Sequence, residues 1–310
     1  MKFKLIIFIL LLSFLFCYSG LMAQEEPSNL AEEYSATDEF VPRENNFDPP
    51  VSSTTFNWYD PIVKLPEDFT VFGTRSFNKK NFTTLASLTF LTTLLVATDH
   101  ESTLPLRQEY RRHETFHDVA KKITYLGDGE FHLGLAALFG GAGIIFKDNR
   151  AIRTALQIVE AEITTGLTVQ VLKHISGRES PQSASAYGGK FRPLPNIAEY
   201  HKNQTKYYSF PSGHVSTSVA VLTVIAENYS QVKWIKPVGY SIVGLIGLGL
   251  AARGWHWLGD YPLAIAIGYT FGKIISDRNQ SDPENELSEG GLALSPTYIN
   301  GPGLSISYSF

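Results

Sequence analysis

Residues 210–214 read FPSGH, and they lie between two other short polar stretches, KHISGRESP at 173–181 and RGWHWLGD at 253–260. Each stretch adjoins the end of an apolar run, which places all three at helix ends. A helix that begins with Ser and Gly offers free backbone amides to an anion, and His214 at such a start can donate a proton to a departing oxygen. Because His256 and Asp260 are four residues apart, the carboxylate can orient the imidazole on a helix or in its first turn.

Six apolar segments surround these stretches and predict six helices. They cover residues 83–98, 131–146, 151–172, 215–226, 234–252 and 261–275. None contains the roughly 20 uninterrupted apolar residues that identify a membrane span, so short spans and buried core helices both remain open. The basic loop at 173–213 separates the third helix from the fourth, and a loop of this length inside a helical bundle is usually functional or disordered.

The order of these motifs resembles that of the phosphatidic acid phosphatase type 2 and vanadium haloperoxidase superfamily, over roughly residues 83–276. The resemblance implies an all-α fold, here a six-helix bundle. It also implies a phosphatase without metal or cofactor that works through a phosphohistidine intermediate. The site residues that it implies are the nucleophile His256, its orienting partner Asp260, the general acid His214, and the phosphate-binding residues Lys173, Ser212 and Gly213.

Two positions depart from the family pattern, and both concern phosphate-clamping arginines. The first family motif is Lys, six residues, then Arg-Pro, but Ser180 stands in the arginine position and Arg178 lies two residues earlier. The third motif has an arginine six residues before the histidine, where this chain has Leu250, while Arg253 lies three residues before it. We predict that Arg178 and Arg253 bind the substrate phosphate in place of the family arginines. Loss of both charges would weaken or abolish turnover.

The two ends of the chain predict export and two extensions. Residues 1–23 have a basic start, a short apolar run and a small-residue exit, which is typical of a secretory signal peptide. Residues 24–80 are acidic and lack periodicity, so we expect a flexible lead segment before a helical domain at 81–276. The polar tail at 277–310 alternates apolar and polar residues near its end, which favours one short strand. We expect the protein in a bacterial-type cell envelope, in the membrane or the periplasm, with its site facing the periplasm.

Composition excludes several function classes, and the resemblance of the motifs leads to four hypotheses. The net charge of −4 gives no reason to expect nucleic acid as a partner, and the one cysteine, Cys17, excludes a disulfide framework or a cysteine metal site. The leading hypothesis is a phosphatase acting on a lipid phosphomonoester or pyrophosphate, in contact with membrane lipids. The others are a soluble periplasmic acid phosphatase on small phosphate esters, a weakened family member that acts as a binding protein, and a vanadate-dependent haloperoxidase.

Overall fold

The computed structural model describes residues 58–278 and two strands, at 291–298 and 302–309. Eleven α-helices lie within this described part of the chain. They are α1 (Asp60–Val63), α2 (Leu65–Ser76), α3 (Phe82–Ala97), α4 (Asp99–Arg112), α5 (Glu114–Tyr125), α6 (Gly129–Phe146), α7 (Asn149–Ser176), α8 (Ile197–Lys202), α9 (Gly213–Asn228), α10 (Ile235–Arg253) and α11 (Tyr261–Arg278). Three short 3₁₀ helices join them, at Lys79–Asn81, Gln204–Lys206 and Leu258–Asp260.

The predicted all-α class is confirmed across residues 58–278, but the helices outnumber the six that were predicted. The six predicted segments are α3, α6, α7, α9, α10 and α11. The additional helices α1, α2, α4, α5 and α8 are short or polar, so they lack the apolar runs on which the prediction rested. Of these, α8 and the 3₁₀ helix at Gln204–Lys206 lie inside the basic loop.

The lead segment differs from its prediction at its C-terminal end. The flexible segment was expected to reach residue 80, yet α1 and α2 occupy most of residues 60–76. The ring of Phe72 on α2 stacks on Phe271 of α11, with centroids 4.3 Å apart, and Phe69 meets the same ring edge-on. These aromatic contacts anchor α2 to the bundle. The predicted signal peptide, residues 1–23, lies outside the described residues.

The core lies between α6, α7, α9 and α11. Its buried members are Ala136, Ile158, Ala161, Ala220, Val221, Val224, Ile267, Phe271 and Ile275. Full burial of a side chain such as Ile158 or Phe271 contributes about 1.5–3 kcal/mol. Helix α9 is buried along most of its length, and the hydroxyl of Thr223 donates to the carbonyl of Val219 at 2.7 Å. This packing fixes the N-terminus of α9, where the FPSGH stretch ends.

Two helices of the described part are long and apolar enough to cross a membrane, α6 and α10. The pair Lys79–Ala97 and Asp99–Arg112, bent by 59°, would provide a third span if it crosses as one broken segment. Helix α6 leaves Leu133, Leu138, Ile144 and Ile145 exposed, each by more than half of its surface. Such a continuous exposed apolar face fits contact with lipid.

The C-terminal tail forms a two-stranded antiparallel hairpin rather than the single short strand that was predicted. Strand β1 (Gly291–Tyr298) pairs with β2 (Pro302–Ser309), with Leu294 opposite Ile306 in the register.

Candidate active site

The three polar stretches meet at one end of the bundle. The FPSGH stretch and the 253–260 turn are joined by backbone hydrogen bonds, because the amide of Ser212 donates to the carbonyl of Asp260 at 3.1 Å. The KHISGRESP stretch joins them through Arg178, whose backbone carbonyl accepts the amide of Ser209. Motifs that are separated by tens of residues in sequence therefore form one local structure.

Gly177 ends α7 and turns the chain toward this site. It adopts a left-handed conformation with φ of +53°, which favours glycine. A Cβ at this position would lie only 1.8 Å from the carbonyl oxygen of Arg192, so a side chain cannot be accommodated. The turn leaves Lys173 on the last turn of α7 and directs Arg178 into the interior.

His256 is buried, and one of its two nitrogens is occupied. Its Nδ1 lies 2.7 Å from the carbonyl oxygen of Ser209 and 3.4 Å from Oδ2 of Asp260. Because a carbonyl can only accept, Nδ1 carries the proton and Nε2 keeps its lone pair in the neutral ring. Burial lowers the pKa of His256 below its ordinary value, and the Lys173 ammonium lowers it further, against the opposing effect of Asp260. The ring is therefore neutral near pH 7 and has a free nitrogen that can attack an electrophile.

Asp260 is held by four donors. Arg178 Nη1 donates to Oδ1 at 2.6 Å. The other oxygen, Oδ2, accepts from the hydroxyl of Ser209 at 2.5 Å and from the amide of Trp257 at 2.8 Å. The fourth donor, Nδ1 of His256, is more distant, at 3.4 Å from Oδ2. Burial alone would raise the pKa of Asp260, but the Arg178 guanidinium and these bonds lower it below its usual value. A carboxylate held in this way orients the histidine and stabilises positive charge on it.

Arg178 links Asp260 to a second buried carboxylate, Asp99, at the start of α4. Its Nη2 donates to Asp99 Oδ2 at 2.7 Å and to the carbonyl of Gly188 at 2.8 Å, and all three charged side chains are fully buried. Asp99 also accepts the amide of Gly259 at 2.8 Å. Both terminal nitrogens of the guanidinium are thus committed to the protein.

A cationic niche lies beside His256. The ammonium of Lys173 is 1% exposed, and among the described residues no carboxylate lies within ion-pair distance of it. The ring of Tyr208 covers it, with Nζ 3.2 Å from the ring centroid. Burial lowers the pKa of Lys173 to about 7. The hydroxyl of Ser212 is also buried, and it has no hydrogen-bond partner within the described part of the chain. Because Gly213 packs directly against Lys173, the charge lies at the N-terminus of α9, where free amides favour an anion.

His214 lies at the opening of this niche and is partly exposed. Its Nε2 lies 2.7 Å from Oδ1 of Asp128, the residue that precedes α6. Burial and the neighbouring His256 lower the pKa of His214 to about 4, although the Asp128 carboxylate opposes this. An anion bound between Lys173 and the two histidines would favour protonated His214.

Each of the two displaced arginines, which the sequence predicted to bind the substrate phosphate, has a hydrogen-bond partner within the protein. Arg178 contacts Asp260 and Asp99 instead of standing free beside His256. Arg253 donates to the hydroxyl of Thr124 on α5 at 2.6 Å. The physical reason for the first difference is that a buried guanidinium is stable only when it is paired, and two buried carboxylates lie within its reach.

Four contributors to the site escaped the sequence analysis: Asp99, Asp128, Tyr208 and Ser209. Asp128 precedes an apolar helix, a position that reads as an ordinary N-cap. Asp99 directly follows the apolar run at 83–98, and its position in the sequence gives no sign that it is buried. Tyr208 and Ser209 carry no recognisable signal, since their roles depend on tertiary contacts. Within the described residues, no group of three or more His, Cys, Asp or Glu could hold a metal ion.

One of three comparisons with known proteins, the match to a family model, agrees with the resemblance of the three polar stretches. Residues 154–280 match the family model of the PAP2 superfamily. Among solved structures, the chain is similar to the first transmembrane PAP2-type phosphatidylglycerolphosphate phosphatase from Bacillus subtilis, with 19% identity and a TM-score of 0.44 over 73% of this chain and 99% of that one. A comparison with curated proteins finds no match. The family match spans all three polar stretches.

Proposed function

We propose that the protein is a metal-independent phosphatase that hydrolyses a lipid phosphomonoester or pyrophosphate through a phosphohistidine intermediate. The observation that carries this proposal is the buried cationic niche beside His256. Among the residues that the structure describes, the Lys173 ammonium has no carboxylate partner and the Ser212 hydroxyl has no hydrogen-bond partner, and such groups are costly to bury. A phosphoryl group would satisfy both at once.

The first half-reaction is attack on phosphorus by Nε2 of His256. The N–P bond forms as the P–O bond to the leaving group breaks, and the bonding pair of the broken bond goes to the leaving oxygen. His214 gives that oxygen a proton. Lys173, Ser212 and the amide of Gly213 stabilise the negative charge on the other phosphoryl oxygens. Positive charge on His256 is stabilised by Asp260, which the Arg178 ion pair holds in place.

The second half-reaction releases phosphate. His214, now neutral, takes a proton from a water molecule, whose oxygen attacks phosphorus as the N–P bond to His256 breaks. The proton balance then returns to its starting point, with His214 protonated and His256 neutral. No oxidant, reductant or metal enters either step.

A lipid substrate is favoured by the surface around the site. The helix α6 begins directly after Asp128, the partner of His214, and its exposed Leu133 and Leu138 present an apolar face to the surroundings. A phosphorylated lipid could keep its chains on such a face while its phosphate enters the niche. Small soluble esters would gain nothing from this surface.

A second candidate function rests on the displaced arginines. Arg178 is bound to Asp260 and Asp99, and Arg253 is bound to Thr124. A site whose two displaced arginines are already bound to protein groups could bind a phosphorylated ligand and turn it over slowly or not at all. The protein would then act as a binding protein.

One experiment separates these functions. The purified full chain in detergent is incubated with lipid phosphates, prenyl pyrophosphates and soluble esters, without metal and with chelator, and released phosphate is measured beside the His256→Ala variant. The proposal expects phosphate release from lipid substrates by the native protein alone. With radioactively labelled substrate it also expects phosphate bound to protein after a rapid alkaline quench, because phosphohistidine is stable in alkali and is hydrolysed in acid. Binding without release would favour the second function, and faster release from soluble esters would refute the lipid preference.

A further inference from the structure

Asp128 occupies an N-cap position but does not act as a cap. A side chain at this position ordinarily accepts a hydrogen bond from the second or third amide of the helix. The side chain of Asp128 makes no such bond at the start of α6. Its Oδ1 instead lies 2.7 Å from Nε2 of His214, on the facing helix α9. The carboxylate is therefore directed to the histidine at the expense of its local helix.

The backbone beside Asp128 allows this close approach. A Cβ on Gly127 would lie 2.9 Å from Cγ2 of Ile246, 3.2 Å from the hydroxyl of Ser218 and 3.4 Å from Cβ of His214. The absence of a side chain at Gly127 thus lets the start of α6 lie directly against α9. The contact between Asp128 and His214 is a product of this packing and not of a chance meeting of two surface side chains.

The charged groups around His214 come from three other elements. From α7, the ammonium of Lys173 lowers its pKa, and from the 253–260 turn His256 does the same. Asp128 is the group that raises it. One turn further along α6, His132 is paired with Glu162 of α7 at 2.6 Å and lies 3.4 Å from the hydroxyl of Ser218, so this neighbouring pair is already satisfied.

We propose that Asp128 is a positioning residue for His214, holding Nε2 so that Nδ1 is the nitrogen that transfers the proton to and from the reacting oxygens. A carboxylate can only accept, so neutral His214 carries its proton on Nε2 and keeps its lone pair on Nδ1. In the protonated ring both nitrogens carry protons, and Asp128 stabilises that charge while Nδ1 faces the leaving group. The proposal rests on the phosphatase function for its catalytic part, whereas the pairing itself is independent of turnover.

Two variants separate orientation from charge. Asp128→Ala removes both the acceptor and its charge. Asp128→Asn keeps an acceptor oxygen and an equally good helix start but removes the charge. Glu130→Ala is the matched control, because it removes an exposed carboxylate two residues further along the same helix.

The first measurement is the tautomer of His214 at neutral pH, from nitrogen chemical shifts of the full chain labelled at histidine, with the signal assigned by its loss in His214→Gln. The native protein and Glu130→Ala should show the proton on Nε2. Asp128→Ala should show a mixture of tautomers, and Asp128→Asn should resemble the native protein. An unchanged single tautomer in Asp128→Ala would overturn the proposal.

The second measurement is the dependence of kcat on the leaving group. Asp128→Ala should lower kcat for an alkyl phosphate by roughly tenfold or more, because a poor leaving group needs the acid. It should change kcat for p-nitrophenyl phosphate by about twofold or less, with Asp128→Asn between native and Ala. Equal losses on both substrates would overturn the positioning role. A native protein that shows the tautomer but releases no phosphate from any substrate would refute the phosphatase function, and with it the catalytic part of this proposal.

Discussion

Replacing Arg178 by Met tests the buried charge network that holds the nucleophile. Methionine has a similar length but no charge, so the variant leaves Asp99 and Asp260 facing each other without a counter-charge. Arg178 and both carboxylates are fully buried, with contacts of 2.7 and 2.6 Å. Removing one partner of a buried pair costs about 3–5 kcal/mol. We expect a loss within or above this range in the free energy of unfolding at pH 7.

The pH dependence of this loss has a definite sign. In the native protein the pKa of Asp260 is lowered, so its ionised form stabilises the fold above its ordinary pKa and that contribution is lost as the pH falls. Burial already raises the pKa of Asp99 to about 6 in the native protein. In Arg178→Met both carboxylates lose their counter-charge and take up protons at a higher pH than in the native protein, so the difference between variant and native protein should shrink as the pH falls from 7 to 5. Arg178→Lys, which keeps a charge but cannot bridge both carboxylates, should cost less.

The assay is urea unfolding of the full chain in detergent micelles, followed by tryptophan fluorescence, together with steady-state kinetics. Arg178→Met should lower kcat more than it raises KM, because Asp260 loses its anchor while Lys173 and Ser212 remain. Adding Asp99→Asn should recover part of the lost stability, since it removes one of the two unpaired charges. A loss below about 1 kcal/mol, or a double variant less stable than the single one, would refute this account of the network.

Three further outcomes are expected from the same site. Because burial lowers the pKa of Lys173 to about 7, kcat/KM should fall as the pH rises above 7, and in Lys173→Arg this fall should occur at a higher pH. A fall at the same pH in both proteins would exclude Lys173 as its source. His256→Ala should abolish turnover, whereas His214→Ala should retain more activity on nitrophenyl phosphate than on alkyl phosphates, which steady-state kinetics will decide. Gly177→Ala should lower the free energy of unfolding by more than about 2 kcal/mol, because Gly177 has a left-handed backbone and faces the carbonyl of Arg192. The control Gly166→Ala, within α7 and with open space around it, should not lower it.

The six helices that were predicted from the sequence are those that contain a clear apolar run. Segments such as α6 and α10 are apolar almost throughout, so their composition identifies them. Helix α4 reads DHESTLPLRQEYRR, and it was missed because it has no apolar run and contains Pro105, although its Leu, Arg, Gln and Glu residues favour a helix. Amphipathic α5 was missed for a related reason, since its apolar residues are too few to form a run.

The sequence likewise identified those site residues that lie in short motifs, but not the contacts between them that depend on the tertiary fold. His256, Asp260, His214 and Lys173 lie in recognisable short motifs, and the fold brings them to one end of the bundle. The partner of each charge is set by packing instead. Spacing along the chain could not indicate that Arg178 would be bound by a carboxylate 79 residues away in α4.

The positions of α6 and α10 in the bundle determine the depth of the histidines in a bilayer. Helix α6 begins directly after Asp128, and α10 ends at Arg253, three residues before His256. The N-terminus of α6 and the C-terminus of α10 therefore both lie at the site, and the chain runs through the two helices in opposite directions. Their 18 and 19 residues correspond to about 27–29 Å, close to the thickness of the hydrocarbon layer. A bilayer crossed by these helices would hold the two histidines level with the phosphate headgroups of one leaflet, where a lipid can present its phosphate while its chains remain in the hydrocarbon.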